Sequence, residues 1–289
     1  MAEQEIKKIA IIFSGGMVRG AAQMTFAKEI IKATGIERIC LVTGSSIGAM
    51  NAYAIGVNNI DRLLDIYNDI DCDNVRHFMR KIRNDLFNDA FNKIEREEII
   101  VPTYVTATKL WGFDCHYFCL NKMPREDIKA AINASMGFPL INGSQKFAHH
   151  RFVDGGATDN VPVYPCMYYD PDMIIILHCY SRYYPPTYLF EKLNNSIIID
   201  IDITKSFPEG FSPFSFSKTD IQFMMKTGQK EGEEFAKEIF PNFIKSEVRE
   251  RCFRYINKNI PIRREKTWNG YMEVVDVINS LYEIKEGIN

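Results

Sequence analysis

The sequence predicts an α/β fold built on a parallel sheet, and three observations point to it. Two short apolar runs, IAIIF at 9–13 and ICLVT at 39–43, each lead into a glycine-containing turn and then into helically spaced apolar residues. MIIILHCYS at 173–181 and SIIIDIDI at 196–203 are nearly continuous apolar runs, as in strands buried on both faces. The length of 289 residues, with 46% hydrophobic and 25% charged content, suits one α/β domain with a sizeable core.

In chain order, IAIIF ends at Ser14-Gly15-Gly16, and from about Val18 the spacing of Met24, Ala27, Ile30 and Ile31 is helical, with Gly35 placed to end the helix. ICLVT repeats the design: a turn at 44–48, then a helix of small residues through about Ile55, with Gly56 after it. Helices are expected at 59–70 and 124–135, and strands at 104–110 and 116–120. From Thr219 onward the pattern is amphipathic and helical near 219–239, 242–256 and 271–285, divided by Pro241 and Pro261. Neither a repeat nor a linker interrupts the chain, so 1–289 is expected to form a single domain.

Charge narrows the function. A net charge of -2 lacks the basic footprint of a nucleic-acid binder, and the densest basic cluster, RREK at 263–266, contains an acid. Seven cysteines at 40, 72, 115, 119, 166, 179 and 252 are scattered, and the close pair Cys115 and Cys119 has no second pair to complete a zinc site. Free thiols in a reducing compartment are expected, with no metal. The polar start MAEQEIKK and the absence of a run of roughly 18 apolar residues predict a soluble, cytoplasmic chain.

The chemistry-bearing stretch is Gly44-Ser45-Ser46-Ile47-Gly48, which matches G-x-S-x-G at a strand-to-helix junction. Such a turn lifts the Ser46 hydroxyl above the sheet, and glycine at 44 and 48 removes side chains that would clash in it. Ser46 also stands at a helix N-terminus, whose N–H groups and positive dipole end favour a developing oxyanion. A second glycine turn, SGGMVRG at 14–20, opens on the same carboxyl edge of a parallel sheet. Its spacing fails G-x-G-x-x-G and no G-K-[ST] follows, which argues against a nucleotide site.

A serine nucleophile needs a proton acceptor. His178 lies inside the apolar run 173–181, where a hydrogen-bonded core histidine is the simpler explanation. Asp154 in RFVDGGATDNVPV ends a short strand and precedes Gly155-Gly156, another turn at the same edge. As a base it would need desolvation to raise its pKa; as an Asp-Gly turn residue it would bond its own backbone.

Taken in order and spacing, SGGMVRG, GSSIG and DGGATDNVPV resemble the patatin-like phospholipases over about residues 8–165. ATKL at 107–110 and NASMGFPLI at 133–141 are similar to weaker blocks of that family, and 166–289 would supply the remaining strands and the C-terminal helices. The resemblance implies a three-layer sandwich, a central mainly parallel sheet flanked by helices. It also implies a cofactor-free lipid acyl hydrolase with Ser46 as nucleophile and Asp154 as base. The N–H groups of Gly15, Gly16 and Met17 would form the oxyanion hole, Arg19 would support the loop, and Gly44 and Gly48 would shape the elbow. The implied partner is a phospholipid or other acyl-ester lipid, with transient membrane contact.

One position departs from the pattern: the family usually has a third glycine where this chain has Met17, which favours an inactive lipid-binding protein as an alternative. An acyltransferase is another, because an acyl-serine can pass to an alcohol or thiol. The aromatic stretches YYPPTYLF at 183–190 and FPEGFSPFSF at 207–216 are candidates for an acyl pocket or a lipid contact, with buried packing as the competing explanation. The helix at 245–258 is expected to pack on the domain with a solvated face.

Overall fold

The structure, a computed structural model, describes residues 4–72, 83–137, 143–179 and 191–259. Its β-branched runs form β1 (Ile9–Phe13), β2 (Ile39–Ser45), β3 (Thr103–Lys109), β7 (Met173–His178) and β8 (Ile197–Asp202). These lie parallel in the order β3-β2-β1-β7-β8. Three shorter strands complete a mixed eight-stranded sheet: β4 (Asp114–Cys119), β5 (Gln145–Phe147) and β6 (His150–Asp154). β4 and β6 run antiparallel to β3, and β5 runs antiparallel to β6.

Alternation along the central strands sorts the core into two clusters. Ile9, Ile11 and Phe13 of β1 and Met173, Ile175 and Leu177 of β7 face one cluster. Ala10 and Ile12, with Ile174 and Ile176, face the other. Each fully buried aliphatic side chain contributes about 1.5–3 kcal/mol, so strands flanked by apolar layers on both sides are the strongly determined part of the sheet. The first cluster is filled from α1 (Gly20–Thr34), α2 (Ile47–Gly56), α3 (Ile60–Asp69), α4 (Arg83–Ile94), α5 (Arg125–Ser135), α6 (Lys218–Ile239) and the helix α7 at 245–259. The second is covered, among the described residues, by Val161, Val163, Leu193 and the 3-10 helix Tyr164–Tyr168.

The elements expected within the described residues are therefore present, and Gly35 (φ 80) ends α1 as its sequence position suggested. α4 was not anticipated; Phe87, Ala90, Phe91 and Ile94 give it a buried face. α7 buries Val248, Cys252 and Tyr255 and leaves Phe253 in solvent, a packed helix with a solvated face. The stretches at 183–190 and 271–285 lie outside the described residues. No helix among the described residues is long and apolar enough to cross a membrane.

Candidate active site

β2 hands over to α2 at Ser46, whose backbone has φ 55 and ψ -127. An L-residue is held there only when its surroundings demand it. The demand comes from the two glycines. A Cβ on Gly44 would stand 2.0 Å from the Gly48 carbonyl oxygen, and one on Gly48 would stand 2.7 Å from the carbonyl oxygens of Phe13 and Ser14. The strand and the first turn of α2 thus touch backbone to backbone, which turns Ser46 outward. Its N–H donates to Ser135 Oγ at 3.0 Å, and its carbonyl accepts from Ala49 N–H at 2.9 Å, starting the helix. Ser45 is fully buried behind it.

Strand register brings Asp154 to this point. β4 pairs along one edge of β3, so β2 and β6 share the other edge end to end. Ser45, the last residue of β2, lies opposite Thr106, and Asp154, the last residue of β6, lies opposite the next residue, Ala107. The end of β2, which leads into Ser46, and the end of β6, at Asp154, therefore converge on adjacent residues of β3. Asp154 is buried and held on all sides. Its N–H donates to Gly137 O at 2.7 Å, its carbonyl accepts from Thr108 Oγ1 at 2.9 Å, and its Oδ1 accepts from Gly156 N–H at 2.8 Å. The last of these is the local Asp-Gly turn bond anticipated from the sequence, and it leaves Asp154 at the junction.

The loop 14–20 closes the third side. A Cβ on Gly15 would stand 2.9 Å from Ser46 Cβ and 2.6 Å from Asn160 Oδ1, so only glycine allows this approach. Arg19 ties this loop to two other segments: Nη2 donates to Phe211 O at 2.7 Å and Nη1 to Cys179 O at 3.3 Å. Gln23 Nε2 adds bonds to Ser14 O and Leu177 O at 3.1 and 2.8 Å, tying α1 to the carboxyl ends of β1 and β7. Met17 has φ 53, the left-handed backbone that explains a glycine preference at this position.

The three N–H groups expected to form the oxyanion hole differ in their partners. Gly15 N–H already donates to Asn160, to Oδ1 at 3.1 Å and to the carbonyl at 3.4 Å. Gly16 and Met17 N–H make no hydrogen bond to a described residue. Asn160 was not singled out in the sequence, although its place in D-G-G-A-T-D-N, a turn-forming run, was the available signal. Its neighbour Asp159 accepts from Tyr117 OH at 2.6 Å; burial pushes the Asp159 carboxyl up, opposed by that hydroxyl and by Val161 N–H.

His178 is fully buried at the end of β7, with β1 between it and β2, and its Nε2 lies 3.6 Å from Asp200 Oδ2. It has the setting of a core histidine. The stretch 207–216 packs inward: Phe207 and Phe216 are buried, and Phe207, Phe211 and Phe223 form a ring cluster with centroids 5.2–5.8 Å apart. All seven cysteines are free, and burial pushes the Cys179 thiol up to about 12. No group of three or more His, Cys, Asp or Glu among the described residues could hold a metal ion.

A family model described as patatin-like phospholipase matches residues 11–167, which include the loop, the elbow and Asp154. No curated protein matches the chain. Among solved structures, VipD from Legionella pneumophila is similar with 11% identity and a TM-score of 0.46, over 81% of this chain and 67% of that one. The type III effector protein ExoU is similar with 12% identity and a TM-score of 0.43, over 81% of this chain and 54% of that one.

Proposed function

The chain belongs to the patatin-like phospholipase family, and from that premise we propose that it hydrolyses ester-linked acyl groups of lipids with Ser46 as nucleophile and Asp154 as base. The observation that supports this most is the strained Ser46 backbone, φ 55, facing the strand end that carries Asp154. A serine held in that conformation by two glycines is otherwise a cost without return.

In the proposed reaction Ser46 Oγ attacks the ester carbonyl carbon while its proton passes to the Asp154 carboxylate. Negative charge gathers on the carbonyl oxygen, toward which the N–H groups of Gly16 and Met17 are available. Collapse expels the alcohol, which takes the proton from Asp154, and leaves Ser46 acylated. Water then attacks the acyl-serine, gives its proton to Asp154, and the fatty acid departs as Ser46 recovers its hydrogen. The inactive alternative drew its support from Met17, yet Met17 takes up the backbone a glycine would, and a side chain does not remove an N–H.

The test is turnover of a fluorogenic acyl-ester series by the wild type and by Ser46→Ala, with circular dichroism to show that both are folded. Wild-type hydrolysis that falls by about 10³-fold or more in Ser46→Ala is expected. Undiminished turnover in the variant would remove Ser46 from the mechanism. Added glycerol that diverts product from free acid to acylglycerol would identify an acyltransferase instead.

A further inference from the structure

The described residues expose six large hydrophobic side chains, and three of them lie within four consecutive residues: Leu110 at 40%, Trp111 at 76% and Phe113 at 59%. These form the tip of the hairpin joining β3 to β4. Scattered apolar exposure is ordinary, but Trp and Phe concentrated on one turn are not. The backbone adds a second cost. Phe113 has φ 54, a left-handed conformation that costs an L-residue about 1–2 kcal/mol, and no burial of its ring offsets it. Neither packing nor turn geometry accounts for these side chains.

Position and charge indicate what would. β3 runs parallel to β2, so its carboxyl end lies at the edge where β2 delivers Ser46. Leu110 is three residues beyond Ala107, the partner of Asp154, so the tip begins about 10 Å past that aspartate along the strand. The β5–β6 turn, Ala148 and His149, reaches the same end, because β6 is antiparallel to β3 and Leu110 N–H donates to Arg151 O at 2.8 Å. Lys146 and Arg151 lie opposite each other and share a face of that second hairpin. Lys109, Lys146 and Arg151 outnumber Asp114, the one acid in the two hairpins' turns and flanking residues at 109–116 and 143–152. An aromatic tip backed by cations matches the chemistry of a bilayer interface, where Trp settles at headgroup level and basic residues attract anionic lipid.

We infer that the β3–β4 hairpin tip, Leu110 to Phe113, docks the chain on an anionic lipid surface, with Lys146 and Arg151 held against the headgroups and the Ser46 edge facing the bilayer. Only the orientation of that edge rests on the proposed function.

The experiment uses the full chain carrying Ser46→Ala, so that vesicles are not consumed. It measures cosedimentation with vesicles of phosphatidylcholine alone or of phosphatidylcholine with one third phosphatidylglycerol. Binding to the anionic vesicles is expected, reduced about tenfold or more by Trp111→Ser with Phe113→Ser, and weakened by Lys146→Gln with Arg151→Gln. A chain carrying Trp268→Phe, which leaves Trp111 as its one tryptophan, should show a blue shift in emission on adding those vesicles. The inference is overturned if the parent chain binds neither vesicle, if the Trp111 and Phe113 changes leave binding intact, or if they instead abolish a dimer formed without lipid. Turnover of a soluble short-chain ester should survive the hairpin changes when Ser46 is retained. Absence of that turnover in the wild type would defeat the proposed function while vesicle binding still decided the docking.

Discussion

Replacing Gly44 by Ala tests the claim that the strand-to-helix contact, and nothing downstream of it, sets the Ser46 backbone. The added Cβ would lie 2.0 Å from Gly48 O, 2.2 Å from Gly48 C and 2.7 Å from Ala49 N, against a floor near 3.0 Å for real Cβ contacts. All three neighbours are backbone, so no side-chain rotation relieves the overlap, and the first turn of α2 must move by about 1 Å. Overpacking of this kind costs about 3 kcal/mol or more, and a 1 Å shift of a reacting group costs about 10²-fold in rate. Gly48→Ala, at 2.7 Å from two carbonyl oxygens, should cost less, about 1–3 kcal/mol. Gly210→Ala is the control: its Cβ meets nothing within 4 Å, and only φ +74 penalises it, by about 1 kcal/mol. Urea denaturation of the three variants should rank them Gly44, Gly48, Gly210, and Gly44→Ala should also label slowly with a fluorophosphonate. A Gly44→Ala midpoint equal to the wild type, or no lower than that of Gly210→Ala, would refute the steric account.

Asn160→Ala leaves the Gly15 N–H only its 3.4 Å contact with the carbonyl of residue 160 and should lose about 1 kcal/mol in urea denaturation; an unchanged midpoint would mean that the 3.1 Å bond does not hold the loop. Burial pushes the Asp172 carboxyl up, but the N–H donors of Lys7 and Lys8 and the Lys245 ammonium at 3.1 Å outweigh it and hold the group below the usual carboxylate range. A depressed folded pKa contributes stability above the unfolded value of about 3.9 that is lost as pH falls through the folded value. Asp172→Asn should therefore be less stable than the wild type at pH 7 with the gap closing in acid, and a pH-independent gap would contradict the assignment. Glu231 has the opposite sign. Burial pushes its carboxyl up and Lys205, 3.9 Å away, offsets this only in part, so its ionisation above the ordinary value of about 4.3 costs stability. Glu231→Gln should raise the urea midpoint at pH 8 and leave it near the wild-type value at pH 4; destabilisation at pH 8 would show that the Lys205 pair dominates.

The parts legible in the sequence are those fixed by local rules. Apolar, Ile-rich runs announced β1, β2, β7 and β8, and the glycines at 35, 44 and 48 stand where backbone geometry admits little else. The shared edge of β3 was not legible, because the pairing of Ala107 with Asp154 joins residues 47 positions apart and β6 carries only five residues. α4 was hidden by Asn84-Asp85 and Asn88-Asp89, weak helix formers overridden by the packing of Phe87, Phe91 and Ile94. The departure at Met17 could be named from the sequence, but its meaning depended on φ 53, a backbone angle that sequence does not print. Gly15 shows the same limit from the other side: its N–H was available by pattern and taken by Asn160 in space.

If Ser46 is a nucleophile activated by Asp154, a fluorophosphonate will label it covalently, and peptide mass spectrometry will locate the adduct. A single adduct on Ser46 is expected in the wild type, with labelling slowed by about 10²-fold or more in a folded Asp154→Asn. A folded wild type that stays unlabelled at Ser46, or an Asp154→Asn chain that labels at the wild-type rate, would contradict it.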